Sequence, residues 1–545
     1  MKMHPSSLLR PLALLVALAA CVACAHSENP PSAVAAAAGG LVFDPSQGVA
    51  QHLTLPRGEE VNYTAYMGLY YVANVEDTVY QRMNIFVPEG ATQQSPIFMP
   101  NNVGGYMAAP PAGIDANGAS GRALAEGMVV AIAGARGRNS VQDGIYTGRA
   151  PKALLDLKAA VRYLRHFDAE IPGDAERIIT NGTSAGGAMS SLLGATGNNP
   201  AYAPLLRAMG AAEERDDIFA AVCFCPITDL DHADMAYEWL YGCTNDGIRG
   251  LNDEQKAVSE ELAALYPAYL NSLQLTKPDG TPLTADNYLD YLKDLLIRSA
   301  QEAKDAGADI PDSVGFSFGS QQGFQAPLNG GPSGEAGDAA SPPRRQGPPQ
   351  GMPPGGDRQG PPTGGPQGPG AQGGMRGMPG GRTGETITDL DLPKYLAYVV
   401  STVMLKSPPA FDSQGVAGSG ASGENDEFGD ETGSKVNFTD WSLQAATGDA
   451  SARVSADIAE NVRLLNPMRM MDAEGSDIAP HWYIRHGARD RDTAFPVPVN
   501  LATKLQNKGK DVNFKLPWNR PHSGDYALNE LFAWIRAITN ETTTE

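Results

Sequence analysis

Ile178-Ile179-Thr180-Asn181-Gly182-Thr183-Ser184-Ala185-Gly186-Gly187 is the stretch that decides how this chain folds. Within it, Gly182-Thr183-Ser184-Ala185-Gly186 has the G-x-S-x-G form of a nucleophile elbow, a sharp turn between a strand and a helix with a serine at its tip. The turn lifts the hydroxyl clear of the backbone, and the adjacent amides face the oxygen that becomes negative during acyl transfer. The flanks agree with that reading. Ile178-Ile179-Thr180 reads as the incoming strand and Ala188-Met189-Ser190-Ser191-Leu192-Leu193 as the outgoing helix. Spacing alone is weak in a chain with 61 glycines. Gly315-Phe316-Ser317-Phe318-Gly319 repeats it, but Pro311 precedes that copy, which argues against a central strand. A Gly/Gln/Pro-rich run follows it where a helix is needed. Context therefore selects Ser184 over Ser317.

Working outward, strand-like and helix-like segments alternate on both sides of the elbow. Tyr80 to Val87, Pro96 to Pro100 and Met128 to Ala133 read as strands. Ala153 to Phe167 reads as a helix with Leu154, Leu157, Val161 and Leu164 on one face. The alternation implies an α/β fold with a mostly parallel sheet covered on both faces. The pattern changes after about residue 230. Helical periodicity marks 253–272, 286–306 and 392–405, and a Gly/Ser/acidic loop covers 413–434. Residues 325–385 are dominated by Gly, Pro and Gln without a three-residue period, so the segment is expected to be disordered rather than collagen-like. Sheet-like segments return at His481 to Arg485 and Val512 to Leu516, with helices at Phe495 to Gln506 and Tyr526 to Ile538. One α/β core, 46–235 and 466–545, is thus interrupted by a mainly helical insertion, 236–465, placed to act as a lid.

The first residues read as an export leader, 1–25, followed by an Ala/Pro/Ser-rich tether, 26–45. Lys2 and Arg10 precede or flank an apolar core, Leu12 to Ala20, too short to span a membrane. Leu18-Ala19-Ala20-Cys21 fits a lipobox, which places a lipid anchor on Cys21. Ala23-Cys24-Ala25 fits an A-x-A cleavage site, which releases a soluble chain. No later apolar run is long enough to cross a membrane. A net charge of −21 disfavours nucleic acid and anionic lipid surfaces. Cys223, Cys225 and Cys243 are too few for a disulfide scaffold. An oxidising compartment allows one pair to bridge; burial as small apolar groups is the plainer reading. No second pair stands at zinc-ligand spacing.

A serine needs a base to take its proton. In chains carrying this elbow the acid and then the histidine follow the serine in order. Of eight histidines, His522 lies in Pro521-His522-Ser523-Gly524-Asp525, between the last strand and the last helix, where the base belongs. His232, in Asp229-Leu230-Asp231-His232-Ala233-Asp234, is the runner-up, in a setting that suits a helix start with N-terminal carboxylates or, as a further alternative, a metal site. His166 ends a helix. After the strand at Arg485, Asp490 is the candidate to orient His522, and Asp492 is left for substrate. The oxyanion hole needs two amides. Ala185 supplies one, and Gly104 or Gly105, in Asn101-Asn102-Val103-Gly104-Gly105-Tyr106, the other.

Several of these stretches together resemble the bacterial tannases of the α/β-hydrolase superfamily. They are Ile179 to Gly187 with Leu193 to Asn198, Pro226 to Asp234, Asp490-Arg491-Asp492-Thr493, and Pro521 to Tyr526. The resemblance covers most of 60–240 and 390–540. It implies an α/β-hydrolase sheet and hydrolysis of galloyl esters such as tannins and methyl gallate, with no metal or organic cofactor. It further implies that Lys406, Asp492 and Glu424 grip the phenolic hydroxyls of the galloyl ring, with Glu427 as the alternative to Glu424. Carboxylates accept from phenols and lysine donates to them. A feruloyl or general carboxylesterase shares the same triad, and a silent ligand-binding lipoprotein is the reading from another class.

Overall fold

The computed structural model describes residues 40–246, 248–320 and 385–541. The leader, Cys21, most of the tether and nearly all of the 325–385 segment lie outside the described residues. The last part of the tether range does not hang free: Phe43 is buried, and Tyr163 Oη donates to the carbonyl of Val42.

Nine strands form one sheet: β1 (Val49–Thr54), β2 (Glu60–Tyr70), β3 (Arg82–Pro88), β4 (Pro96–Pro100), β5 (Val129–Ala133), β6 (Asp174–Thr183), β7 (Ala220–Phe224), β8 (His481–Arg485) and β9 (Asp511–Lys515). Their spatial order is β1-β2-β3-β5-β4-β6-β7-β8-β9. The first three strands and β5 pair antiparallel, and from β5 to β9 every pairing is parallel. Chain reversal of strand order at β4 and β5 puts the carboxyl ends of β4, β6, β7 and β8 along one edge, where open α/β sheets bind ligands.

Alternation along each strand builds two cores. Val129, Ala131, Trp482 and Ile484 face one layer, which includes Leu154 and Val161 of the helix Lys152–His166 and Met189 and Leu192 of the helix Ala185–Ala195. Val130, Ile132 and Tyr483 face the other, where Leu531, Phe532 and Ile535 of the helix Leu528–Glu541 cover the sheet. Because both faces are covered, β5 and β7 are buried at every position and read as unbroken apolar runs. Charges inside the layer are paired: Asp156 with Arg136 at 2.8 Å and Lys158 with Asp216 at 2.7 Å.

The chain between β7 and β8 is mainly helical. It includes the helices Leu230–Tyr241, Asp253–Ser272, Ala285–Asp305 and Leu392–Thr402, and a two-stranded hairpin of Phe316–Ser320 with Glu385–Leu390. Its Tyr266, Leu292 and Tyr395 belong to the same buried cluster as Trp482 and Met189, so insertion and sheet share one core. The helix Leu230–Tyr241 runs unbroken across position 235/236, where the sequence places the start of the insertion. Ser317 falls in the hairpin, away from any strand–helix elbow.

Candidate active site

Ser184 adopts φ 63° and ψ −123° at the N-cap of the helix Ala185–Ala195. A non-glycine residue held at positive φ costs on the order of 1–3 kcal/mol, which the surroundings must offset. Here they do: the Ser184 N–H donates to the Phe224 carbonyl at the end of β7, at 2.9 Å. Both flanking glycines are required by close approach. A Cβ at Gly182 would lie 2.1 Å from the Gly186 carbonyl oxygen, and one at Gly186 would lie 2.7 Å from Asn101 Oδ1.

Asn101 ties the candidate oxyanion loop to the elbow. Its Nδ2 donates to the carbonyls of Asn181 and Gly186 and to Ser190 Oγ, at 3.0–3.2 Å. Beyond it, Gly104 and Gly105 border open space: a Cβ at either would meet nothing within 4 Å. Gly105 has φ 56°, a conformation that favours glycine. Its carbonyl accepts from Arg138 Nε at 2.8 Å.

His522 and Asp490 stand on the loops after β9 and β8. His522 Nδ1 lies 2.8 Å from Asp490 Oδ2 and 3.7 Å from Asp492 Oδ2. The His522 loop is registered on the elbow strand. Asp525 accepts from Asn181 Nδ2 at 3.1 Å, and a Cβ on Gly524 would collide with Thr183 Oγ1. Burial would lower the His522 pKa, but the hydrogen bond and charge of Asp490, with help from Asp492, raise it, while Lys406 opposes them. Asp490 is sealed from solvent. Burial would raise its carboxyl; the adjacent His486 and His522 rings and the Cys225 thiol outweigh this and hold it at about 2.

Two neighbours of Asp490 were not foreseen. His486 is fully buried with Nδ1 3.4 Å from Asp490 Oδ2, and burial lowers its pKa. Cys225 follows the apolar run Ala220–Phe224, whose alternation predicts that the strand continues through it. Instead β7 ends at Phe224, and Cys225 turns out at φ 45°, its thiol donating to the Ser523 carbonyl at 3.4 Å. The sulfur, an Asp490 oxygen and a His522 nitrogen lie within 4.8 Å of one another. Alternation predicts a continuing strand here; the contacts at its end override it. Cys223, Cys225 and Cys243 are all free thiols, so no pair among them bridges.

The resemblance-derived contacts fall in three settings. Lys406, half-buried, places Nζ 3.9 Å from the centroid of the Phe411 ring, and its charge acts on His522. Asp492 is about a quarter exposed and pairs with Arg491. Glu424 lies on the short helix Gly423–Glu427, capped by Ser422, within the segment that composition marked as a loop. Glu424 is half-buried, whereas Glu427 is sealed, with neither carboxylate oxygen hydrogen-bonded among the described residues. Burial pushes the Glu427 carboxyl well above its ordinary range. The Gly423–Glu427 turn is fastened to the sheet side by Asp426, 2.9 Å from Arg138 Nη1 and 2.7 Å from Arg149 Nη1.

His232 has a different environment. Its Nδ1 lies 2.8 Å from Asp229 Oδ1 and 3.4 Å from Asp231 Oδ1, and its ring stacks on Tyr269 at 3.5 Å. Asn466 Nδ2 donates to both carboxylates. Burial opposes its charge, yet the two aspartates raise its pKa to about 10. A base so fully protonated cannot accept a serine proton near neutrality.

Fold and site together define a class: an ester hydrolase of the α/β-hydrolase fold. A family model described as BD-FAE, an α/β-hydrolase family, matches residues 83–266. Tannase of Fusobacterium nucleatum is 34% identical, with 91% of this chain and 99% of that chain covered and a TM-score of 0.73. Tannin acyl hydrolase of Lactobacillus plantarum is 35% identical over 91% and 98% of the two chains, TM-score 0.72. A tannin acyl hydrolase solved in complex with ethyl gallate is 36% identical over the same shares, TM-score 0.72. No curated protein sequence matches the chain. The chain belongs to the bacterial tannase family.

Proposed function

We propose that this protein is a serine esterase that hydrolyses galloyl esters through an acyl-enzyme. Ser184 Oγ attacks the ester carbonyl and its proton passes to His522 Nε2. Asp490 holds the opposite ring nitrogen, fixing the tautomer and stabilising the imidazolium. The N–H groups of Ala185, at the open start of its helix, and of Gly104 or Gly105 receive the oxyanion. The imidazolium then protonates the leaving alcohol. Water, activated by the same ring, attacks the acyl carbonyl and releases gallate and Ser184.

The observation that carries this reading is the 2.8 Å His522–Asp490 pair on loops registered against the Ser184 elbow. The galloyl preference rests on Lys406 and Asp492 acting on the same imidazole that serves the elbow, and on Glu424 of the insertion, whose charge acts on Tyr106 next to the candidate oxyanion loop. A ligand rimmed by one cation and two carboxylates matches adjacent phenolic hydroxyls, which both accept and donate. Export follows from the leader, with a lipid on Cys21 or cleavage after Ala25; mass spectrometry of the mature N-terminus distinguishes them. Among the described residues no helix is long and apolar enough to cross a membrane.

The test is hydrolysis of methyl gallate, methyl ferulate and p-nitrophenyl acetate, with Ser184→Ala as control. Preference for methyl gallate, abolished in the control, is expected. Equal rates on all three would replace the galloyl reading with a general esterase. No turnover would point to a binding protein.

A further inference from the structure

One face of the helix Leu230–Tyr241 holds the main chain of the two segments that carry Lys406 and Asp492. Asp234, Tyr237, Glu238 and Tyr241 recur at helical spacing, so they share that face, and all four are buried. The proposed chemistry uses none of them. Asp234 accepts from the N–H groups of Phe411 and Asp412 at 2.8 and 2.9 Å. Tyr241 Oη donates to the Asp490 carbonyl at 3.2 Å. Glu238 pairs with Arg249 at 2.6 Å, both side chains sealed from solvent, and Arg249 Nη2 donates to the Lys406 carbonyl.

Tyr237 stands between the two segments. Its hydroxyl accepts from the Lys406 N–H at 3.2 Å and donates to the Arg491 carbonyl at 2.8 Å. A hydroxyl does both with one atom, so a single oxygen sets the spacing between Lys406 and the residue beside Asp492. The Tyr237 ring meets Phe411 edge-on at 6.2 Å, and Phe411 in turn lies 3.9 Å from Lys406 Nζ. The Lys406 N–H, its carbonyl and its ammonium group are thus all supported from this helix. Were apolar packing the only requirement, phenylalanine would serve at 237, because a buried hydroxyl must find partners to offset its lost hydration. The partners it finds belong to segments 169 and 254 residues away.

We infer that this helix face, through Tyr237 and the Glu238–Arg249 pair, positions Lys406 against Asp492 for recognition of a galloyl ring. Tyr237 and Arg249 are positioning residues that act through Lys406. The inference rests on the galloyl reading, since the spacing of Lys406 and Asp492 matters to specificity only if one ring engages both.

A double-mutant cycle of Tyr237→Phe with Lys406→Met, read as kcat and KM on methyl gallate, tests it. In the parent background Tyr237→Phe should lower kcat/KM about tenfold, chiefly through KM, because it frees the lysine to move. In the Lys406→Met background the same change should cost about twofold or less, since the group it positions is gone. Arg249→Lys keeps a cation for Glu238 but removes the fork that reaches the Lys406 carbonyl. It gives the same cycle from the other side, so a Tyr237→Phe protein too unstable to assay does not end the test. Equal losses in both backgrounds, or equal losses on methyl gallate and p-nitrophenyl acetate, would reduce the helix face to a brace for the fold and overturn the inference. So would an unchanged KM for methyl gallate in both variants. The parent's own preference separates the two readings. A parent that favours methyl gallate but shows an additive cycle sinks the positioning role alone; a parent without that preference sinks both.

Discussion

Arg138 links the two halves of the site, with its Nη1 2.9 Å from Asp426 of the insertion and its Nε 2.8 Å from the carbonyl of Gly105. The same guanidinium therefore sets the candidate oxyanion loop against the turn that carries Glu424. Asp426 is shared with Arg149, so one carboxylate fastens the turn at two points. Asp426→Asn keeps the shape and removes the charge. It should lower kcat/KM for methyl gallate by about tenfold or more, because small misplacement of binding and oxyanion groups is costly in rate. An unchanged kcat/KM in a protein of unchanged Tm would show that the clamp does not position the site.

The pH profile follows from the groups around His522. Its pKa stands above the ordinary value of 6.5, and in the proposed mechanism the neutral ring is the form that accepts the serine proton. Activity should therefore rise with pH through an acid limb of kcat/KM lying above 6.5. Asp492→Asn removes a carboxylate that stabilises the protonated ring, so the limb should move to lower pH. Lys406→Met removes an opposing cation, so it should move higher. p-Nitrophenyl acetate is the substrate for this measurement because it lacks the galloyl hydroxyls. A limb that stays in place in both variants would remove these groups from the neighbourhood of the base.

Where composition and periodicity are strong, sequence and structure coincide. β5 is buried on both faces, so its residue types alone identify it as a strand, and the elbow around Ser184 stands between a strand and a helix as its flanking residues predict. β1 left no such trace. It is an edge strand, exposed at nearly every position, and solvent on both sides erases the alternation by which strands are read. The Arg138–Asp426 clamp joins residues 288 apart in sequence, and no local pattern encodes it. Cys225 follows an apolar run that reads as more strand; packing at the end of β7 turns it toward Asp490. Asn101 opens a glycine-containing loop in the sequence, but its service to Gly186 and Ser190 depends on β4 and β6 being neighbours.

A change at Lys406 tests the proposed galloyl specificity apart from catalysis in general. Its Nζ lies over Phe411 and makes no ion pair within the described residues, which leaves it available to a phenolic oxygen. Lys406→Met should cost about a hundredfold in kcat/KM on methyl gallate, since a site built around hydroxyls loses most when their partner is removed. Read at a pH above the acid limb, p-nitrophenyl acetate should be hydrolysed at nearly the parent rate. Equal losses on both substrates would assign Lys406 to the chemistry instead.

His232 supplies a stability prediction whose sign is fixed by its partners. Its folded pKa of about 10 exceeds the ordinary value of 6.5, because Asp229 and Asp231 favour the charged ring. A raised pKa means that the stabilisation is fully present below pH 6.5 and is lost as pH rises toward about 10. His232→Gln retains a hydrogen-bonding side chain but no charge. The Tm difference between parent and variant should be largest near pH 6 and should shrink by pH 10. The variant should keep its esterase activity at pH 8, whereas His522→Gln should lose it. A Tm gap independent of pH would mean that the ring is neutral in the fold. Loss of turnover with an intact Tm would transfer the role of base from His522 to His232.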